Sequence, residues 1–521
     1  MGANRKTGRV ATLERPDFIE SPAFRADLAQ LAGELGVEES AAAAEAAACL
    51  EELAVQPRDR YLDWSARLAR FMYSRSYNPV LDVNTGALAH LRELARERPL
   101  VFLWSHKSHL DSFVFMRAIY DNGFVPQPLS FAGINMSFAG FGTLARNSGA
   151  IFLRRSFAGA DIYKLVFKRY IRWLAQRRVP LSWSIEGTRS RTGKLMPPKP
   201  GLLQWVLDAY CEEGLDNALL VPVSISFDQI AEMDDYIAIN RGEPKRKESL
   251  GWFLGYVFGM REAVGSIHVR FAEPVAVDSL PEVPGGLVDE GASPAHRATR
   301  RLALEVSRRI EHSTLVTPAS LISTVLLAFE GGAVPQAALQ EAFMRLADHV
   351  AKAGLPLCGE LAADPVSALR SGLRKMKATG LIVPGHSGWG MAAGRELGCS
   401  YYRNTVSHYF LPGAVGELAL AMAPGSGPAT VDDIHAAMLA WRDLLKFEFV
   451  CPSAEQFTAQ SSDWLDRQYS GWETMLAAGT SPFAEDAAPL ARGMLRSIVA
   501  GYFLCCRLLQ EREVPANSHG V

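Results

Sequence analysis

Between Pro99 and about Leu280, short apolar runs of strand length alternate with helical patterns. The runs are Leu100–Ser105, Ser130–Ala132, Ala150–Leu153, Leu181–Ile185, Leu219–Ile225 and Ser266–Phe271; helical stretches Asp161–Gln176, Gly201–Ala209 and Ser249–Phe258 fall among them. Strand–helix alternation of this kind argues an α/β layer with a largely parallel central sheet. The expected fold class is α/β, with a mostly parallel central sheet flanked by helices.

At 521 residues the chain exceeds what one core can hold. Helical periodicity dominates on both sides of the alternating stretch. The expected division is an N-terminal helical region at 1–85, a central domain at 86–284, a linker at 285–295 and a C-terminal helical domain at 296–521. Residues 1–20 read as a disordered lead-in and Asn78–Asp82 as a linker. Later helices are expected at His296–His312, Thr317–Phe329, Gln336–Ala353, Pro365–Ala378, Thr430–Lys446 and Leu490–Glu511. Helices followed by Gly380–Gly390 faintly resemble a winged-helix unit, without the basic stripe that would suggest nucleic acid.

No apolar run reaches the roughly 18–20 residues of a membrane span, and the first residues lack the apolar core of a secretory signal. Seven cysteines show neither metal-ligand spacing nor a disulfide framework, so a reducing, cytoplasmic location is expected. Net charge is −2, but residues 146–199 hold thirteen Lys/Arg and two acids, a local +11 that leaves −13 for the remainder. That concentration suggests an anionic substrate, an anionic membrane surface, or both. Lys164, Lys168 and Arg172 form an i, i+4, i+8 stripe, either a solvated face or a membrane-contact face.

Four clusters carry chemistry. In LVFLWSHKSHLD, the apolar run ends at His106 and Asp111 stands five residues on. Inside one helix the two would point about 140° apart. If a strand ends at His106 and Asp111 opens the next helix, they can meet. The carboxylate then fixes the imidazole tautomer and leaves the other ring nitrogen to take a proton. His109 offers a metal-binding alternative with His106 and Asp111, but no further ligand cluster accompanies it. GAIFLRRS delivers Arg154 and Arg155 to a strand end, and SIEGTRSRTGK supplies a Gly-containing loop with Arg189 and Arg191. Guanidinium groups bind phosphate bidentately, so Arg154, Arg189 and Arg191 could clamp one phosphate. Glu186 either orients these arginines or holds a substrate hydroxyl. In LVPVSISF, Pro222 suggests an edge, a bulge or a bend beside a pocket.

HKSHLD, GAIFLRRSF, SIEGTRSRTGK and VPVSISF resemble the four ordered blocks of the glycerolipid acyltransferases. AGIN at 132–135, the run from Gly149 to Lys194, and SFDQIAEMDDYIAINRGEPKRKESLGW are similar to the bacterial membrane-bound glycerol-3-phosphate acyltransferase branch, which includes dihydroxyacetone-phosphate acyltransferases. VRFAEPV and YYRNTVSHYF resemble further segments of that branch. The resemblance makes 86–284 the acyltransferase domain. It implies acyl transfer from acyl-CoA or acyl-carrier protein to the sn-1 hydroxyl of glycerol 3-phosphate, the first step of phospholipid synthesis. Dihydroxyacetone phosphate or lysophosphatidate are alternative acceptors, and a membrane-binding scaffold with a degenerate site is the non-enzymatic alternative. The implied roles are His106 as base and Asp111 as its orienter. Arg154, Arg155, Glu186, Gly187, Thr188, Arg189 and Arg191 would hold the acceptor, and Pro222 would shape the pocket. No cofactor or metal is implied, nor a nucleic-acid partner, and the expected place is the cytoplasmic face of the cell membrane, held peripherally.

Overall fold

The computed structural model describes residues 9–511 apart from 135–140, 155, 216, 245–249, 260–263, 280, 282, 284–285, 290, 330–332, 387, 424–428 and 484–489. Arg155, Asn135 of AGIN and the start of the expected helix at Ser249 therefore lie outside the described residues. Two compact units divide between Leu315 and Val316.

In the first unit the chain runs α1 (Pro22–Leu35), α2 (Glu39–Leu53), α3 (Asp59–Tyr73), β1 (Asp82–Val83), α4 (Thr85–Leu94), β2 (Leu100–Trp104), α5 (Asp111–Asp121), β3 (Leu129–Gly133), α6 (Phe141–Asn147), β4 (Ala150–Leu153), α7 (Asp161–Gln176), β5 (Leu181–Ser184), α8 (Gly201–Glu212), β6 (Leu219–Phe227), α9 (Met233–Asn240), α10 (Leu250–Gly259), β7 (Ile267–Phe271), β8 (Val275–Ala276) and α11 (Pro294–His312). The strands order as β1–β7–β6–β2–β5–β3–β4, with β8 beside β6. β2 lies parallel to β5 and β6, and every β2 residue is buried, as its unbroken apolar run requires. β3 pairs in parallel with β4 and β5, and β1 with β7. β7 and β8 run antiparallel to β6, so the sheet is mostly parallel with a mixed margin.

Several sequence expectations change here. Pro222 lies inside an interior strand, in register with Leu103, rather than on an edge. The Val223 carbonyl accepts from Ser105 on the β2 side, and the Pro222 carbonyl accepts from Ala272 on the other. Neighbouring residues point to opposite partners, so the missing Pro222 N–H falls where β6 passes from pairing with β8 to pairing with β7. Ala272 faces Pro222 in the β7 register, so the proline gives up the one reciprocal bond to the Ala272 carbonyl, at the last pair before β7 gives way to β8. The 78–82 stretch ends in β1, an edge strand, and Gln127 N–H bonds the Arg9 carbonyl, tying residues after position 8 to the body. The apolar faces of α1 and α2 (Phe24, Leu28, Ala46, Leu50) and of α11 (Leu302, Val306, Ile310) join the sheet's own core cluster. For that reason the N-terminal helices and α11 belong to the first unit, and the 285–295 stretch lies inside it.

His268 of β7 sits between two carboxylates, with Nδ1 2.7 Å from Asp82 Oδ2 and Nε2 3.0 Å from Asp228 Oδ1. Gly265, at φ +119, admits this arrangement, since a Cβ there would come within 2.4 Å of Asp228 Oδ2. Burial disfavours the imidazolium, but the two hydrogen bonds outweigh it and raise the His268 pKa above its ordinary 6.5. The bond from His268, aided by Arg270, holds Asp82 well below its usual 3.8. The His268 contribution is fully present below 6.5 and fades as pH rises through the higher folded value. That of Asp82 is present above 3.8 and fades only as pH falls through its lowered value. The melting temperature is expected to decline as pH rises above 6.5, and His268→Gln to flatten that decline. Equal slopes in the two proteins would refute this assignment.

The second unit comprises α12 (Pro318–Ala328), β9 (Val334–Pro335), α13 (Gln336–Lys352), α14 (Gly359–Ala363), α15 (Pro365–Ala378), β10 (Ile382–Pro384), β11 (Gly388–Met391), α16 (Glu396–Asn404), α17 (Ser407–Met422), α18 (Val431–Leu445), α19 (Ala454–Gln468), α20 (Trp472–Ala477) and α21 (Arg492–Glu511). The order β10–β11–β9 behind α12, α13 and α15 has winged-helix connectivity. Contrary to the sequence reading, α15 does present exposed Arg370, Arg374 and Lys377 at i, i+4, i+7. Buried Glu417 of α17 fastens the remaining helices: its Oε1 accepts from Trp464 Nε1 (3.0 Å) and the Tyr469 hydroxyl (3.1 Å), its Oε2 from Arg492 N–H (2.9 Å).

Candidate active site

β2 ends at Trp104 and α5 begins at Asp111, so Ser105–Leu110 turn the chain at the carboxyl end of a central parallel strand. Open α/β sheets place ligands at such ends. His106 Nδ1 donates to Asp111 Oδ2 at 2.9 Å. The same oxygen accepts the backbone N–H groups of Lys107 (2.6 Å) and Ser108 (2.8 Å). Asp111 is wholly buried as the first residue of α5, where unsatisfied helix N–H groups favour a carboxylate. The His106 side chain stays 23 % exposed, with the Trp104 ring packed edge-on against it at 5.2 Å. With Nδ1 committed to Asp111, Nε2 is the nitrogen left for proton transfer. Asp111 selects His106 over His109, whose ring contacts Arg189 Nη1 and whose N–H donates to Glu232.

The loop after β5 is fastened to this turn through the main chain. Ser190 N–H donates to the His106 carbonyl at 2.8 Å, which brings its neighbours Arg189 and Arg191 beside the dyad. Gly187 makes the left-handed turn at φ +63, where a Cβ would press on Lys199. Thr188 is exposed, Arg189 and Arg191 are half-buried, and the Arg191 carbonyl accepts from Asn240 Nδ2 at 3.0 Å.

Glu186 is engaged by the main chain. Its Oε1 accepts His106 N–H at 2.6 Å and its Oε2 accepts Met196 N–H at 2.8 Å, with the side chain wholly buried. It pins the His106 turn to the following loop from below. Burial pushes its pKa up to about 8, against the two backbone N–H groups and the nearby Lys107. Burial likewise pushes Lys107 down, opposed by Glu186, Asp111 and Glu311, and pushes Glu311 up to about 7.

Arg154 stands elsewhere. It follows β4, three strand spacings or about 14 Å from β2. Its guanidinium is held by Glu52 of α2, with Nε 3.0 Å from Oε1 and Nη2 2.6 Å from Oε2, and lies 4.3 Å from the Tyr163 ring centroid. Pro222, buried in β6 in register with Leu103, lies three residues short of the His106 level.

The basic concentration of 146–199 is also answered locally. Lys164 pairs with Asp161, Lys168 with Glu212, Arg169 with Asp27, and Arg172 with Glu212 and Glu213. The α7 stripe is thus a salt-bridged face, not a free cationic one.

Glu232 is the residue that sequence reasoning missed. Its buried Oε1 accepts from the Ser108 hydroxyl (2.7 Å), His109 N–H (2.9 Å) and the Tyr256 hydroxyl (2.8 Å), and burial raises its pKa. It holds the far side of the turn as Glu186 holds the near side. Among the described residues no three His, Cys, Asp or Glu side chains cluster as metal ligands.

The profile of the acyltransferase domain matches residues 88–226, and that of the glycerol-3-phosphate acyltransferase C-terminal region matches residues 236–518. Proteins named plsB1 in Mycobacterium bovis and Mycobacterium tuberculosis are 34 % identical over 459 residues, 85 % of this chain and 71 % of theirs. A glycerol-3-phosphate acyltransferase of Glaesserella parasuis is 30 % identical over 421 residues, 77 % of this chain and 51 % of its own. The solved 1-acyl-sn-glycerophosphate acyltransferase of Thermotoga maritima aligns over 48 % of this chain and 77 % of its own, at 18 % identity and a TM-score of 0.28, a likeness too slight to carry an argument. The dyad-bearing turn falls inside the first profile and the second runs through more than half of the chain, so this protein is an acyltransferase and belongs to the glycerol-3-phosphate acyltransferase family.

Proposed function

We propose that the chain transfers a fatty acyl group from a thioester, acyl-CoA or acyl-carrier protein, to the sn-1 hydroxyl of glycerol 3-phosphate, giving lysophosphatidate. The carrying observation is the His106 Nδ1–Asp111 Oδ2 bond, which leaves Nε2 free of that task at the mouth of a parallel strand. Nε2 takes the hydroxyl proton as the oxygen attacks the thioester carbonyl. The C–S bond then breaks, and the leaving thiolate receives that proton from the imidazolium. Lysophosphatidate, free thiol and neutral His106 remain, with no acyl-enzyme and no cofactor required.

Arg189 and Arg191 hold the acceptor's phosphate, aided by the Gly187–Thr188 turn. Ser190 supports this reading, because its bond to the His106 carbonyl keeps that loop beside the base. Arg154 is the weaker candidate, being committed to Glu52. The work takes place at the cytoplasmic face of a membrane, with the protein held peripherally. Among the described residues no helix is long and apolar enough to cross a bilayer.

The first test is release of free thiol from palmitoyl-CoA or palmitoyl-carrier protein, with and without glycerol 3-phosphate. Acceptor-dependent release supports the reading; absence of release with both donors and every phosphate acceptor rejects it. Replacing glycerol 3-phosphate by dihydroxyacetone phosphate or lysophosphatidate separates the acceptor classes. Arg189→Ala is expected to raise KM for glycerol 3-phosphate about 10–100-fold with kcat little changed, the loss of charge-assisted bonds to a phosphate. A kcat loss at unchanged KM would instead place Arg189 on the reacting atoms.

A further inference from the structure

The α7 stripe is closed by its own acids, yet α3 carries the opposite arrangement. Along one face of α3, Arg60, Trp64, Arg67 and Phe71 follow each other at i, i+4, i+7 and i+11. Trp64 is 63 % exposed and Phe71 47 % exposed, while Leu62, Ala66, Ala69 and Met72 bury the other face. Arg67 lies over the Trp64 ring at 5.8 Å. Arg75, just past the helix, lies between Phe71 (5.7 Å) and Phe258 of α10 (5.4 Å), and Phe258 is itself 53 % exposed. The two acids of α3 are turned away: Asp59 accepts the backbone N–H groups of Arg9 and Val10, and Asp63 accepts the Tyr120 hydroxyl. Among the described residues, Arg60, Arg67 and Arg75 pair with no carboxylate.

Exposed rings interleaved with unpaired arginines suit neither bulk water nor a neutral protein partner. They suit the headgroup layer of an anionic bilayer, where rings enter the acyl boundary and guanidinium groups meet phosphates. We infer that the Arg60–Trp64–Arg67–Phe71 stripe of α3, extended by Phe258, is the surface on which the first unit seats on an anionic lipid bilayer. This rests on the peripheral-membrane reading above and gives it a place. α3 packs on α5, where Arg117 Nη1 bonds the Ala66 carbonyl at 3.1 Å, and α5 carries Asp111 at its first turn. The seat is therefore one helix removed from the dyad.

The test is sedimentation of the full chain with phosphatidylglycerol–phosphatidylcholine vesicles and with phosphatidylcholine alone, for the parent and the pairs Trp64→Ser/Phe71→Ser and Arg60→Gln/Arg67→Gln. Affinity for the anionic vesicles is expected to fall roughly tenfold or more in each pair, and parent binding to weaken with salt. Circular dichroism and thiol release from water-soluble octanoyl-CoA without vesicles should match the parent, which separates lost docking from lost folding. Parent-like vesicle binding by both pairs would overturn the inference. So would parent binding indifferent to lipid charge, loss confined to Leu504→Ser/Leu508→Ser on exposed α21, or dissociation of a parent dimer by Trp64→Ser/Phe71→Ser with vesicle binding intact. Sedimentation needs no turnover, so failure of the acyl-transfer reading would register only in the thiol assay.

Discussion

His106→Ala is expected to lower kcat by about 10²–10⁴-fold, the range of a positioned general base, with KM for glycerol 3-phosphate within a few-fold of the parent. The His106 side chain is partly exposed and its backbone N–H, not its ring, meets Glu186, so the fold should survive. The melting temperature should stay close to the parent's. Asp111→Asn should also suppress turnover. Asp111 Oδ2 collects the His106 ring and two backbone N–H groups, and a neutral amide there removes the negative charge that stabilises the imidazolium formed when Nε2 takes a proton. If His106→Ala kept turnover within a few-fold while His109→Ala abolished it, the base would be His109 and the assignment above would fail.

Glu186→Ala is expected to lose both stability and turnover. Two backbone N–H groups in a buried place lose their acceptor, and Lys107 loses one of the three carboxylates around it. Removing one partner from such a buried set costs about 2–5 kcal/mol. Glu186→Gln is the discriminating change. Its single carbonyl can serve His106 or Met196, leaving an amide N–H facing the other donor, so a smaller but distinct drop in melting temperature should remain. Were Glu186 instead a direct ligand of the acceptor hydroxyl, Glu186→Gln would raise KM with the melting curve unmoved.

In the catalytic sheet β2 and β4 were legible as unbroken apolar runs and β3, β5, β6 and β7 as apolar-rich ones, while β1 and β8, two residues each, leave no pattern. Asp161–Gln176 and Pro365–Ala378 were legible as helices from their apolar spacing. The dyad followed from placing His106 at a strand end and Asp111 at a helix start. What stayed hidden is what only tertiary contact creates. Arg154 meets Glu52 across 102 residues of sequence, and the basic run at 146–199 is answered by Asp27, Glu212 and Glu213. Neither pairing leaves a local trace. Glu232 reaches the dyad turn from 123 residues away, and a single acid in a mixed segment carries no periodic or motif signal. Of the edge, bulge or bend that Pro222 suggested, the edge is not found, because this sheet accepts the loss of one bond, to the Ala272 carbonyl, where β6 changes partner from β7 to β8.

The bond from Ser190 N–H to the His106 carbonyl is made by main chain on both sides. It needs only an N–H at 190, here on a wholly buried serine, and no side chain at 188, 189 or 191 takes part in it. On the proposed reading, the distance between base and acceptor loop is held by the backbone, while acceptor preference would lie in side chains. Chemistry and selectivity can drift independently in such a molecule: a lineage could exchange one phosphorylated alcohol for another by altering three neighbouring positions without re-tuning the proton transfer.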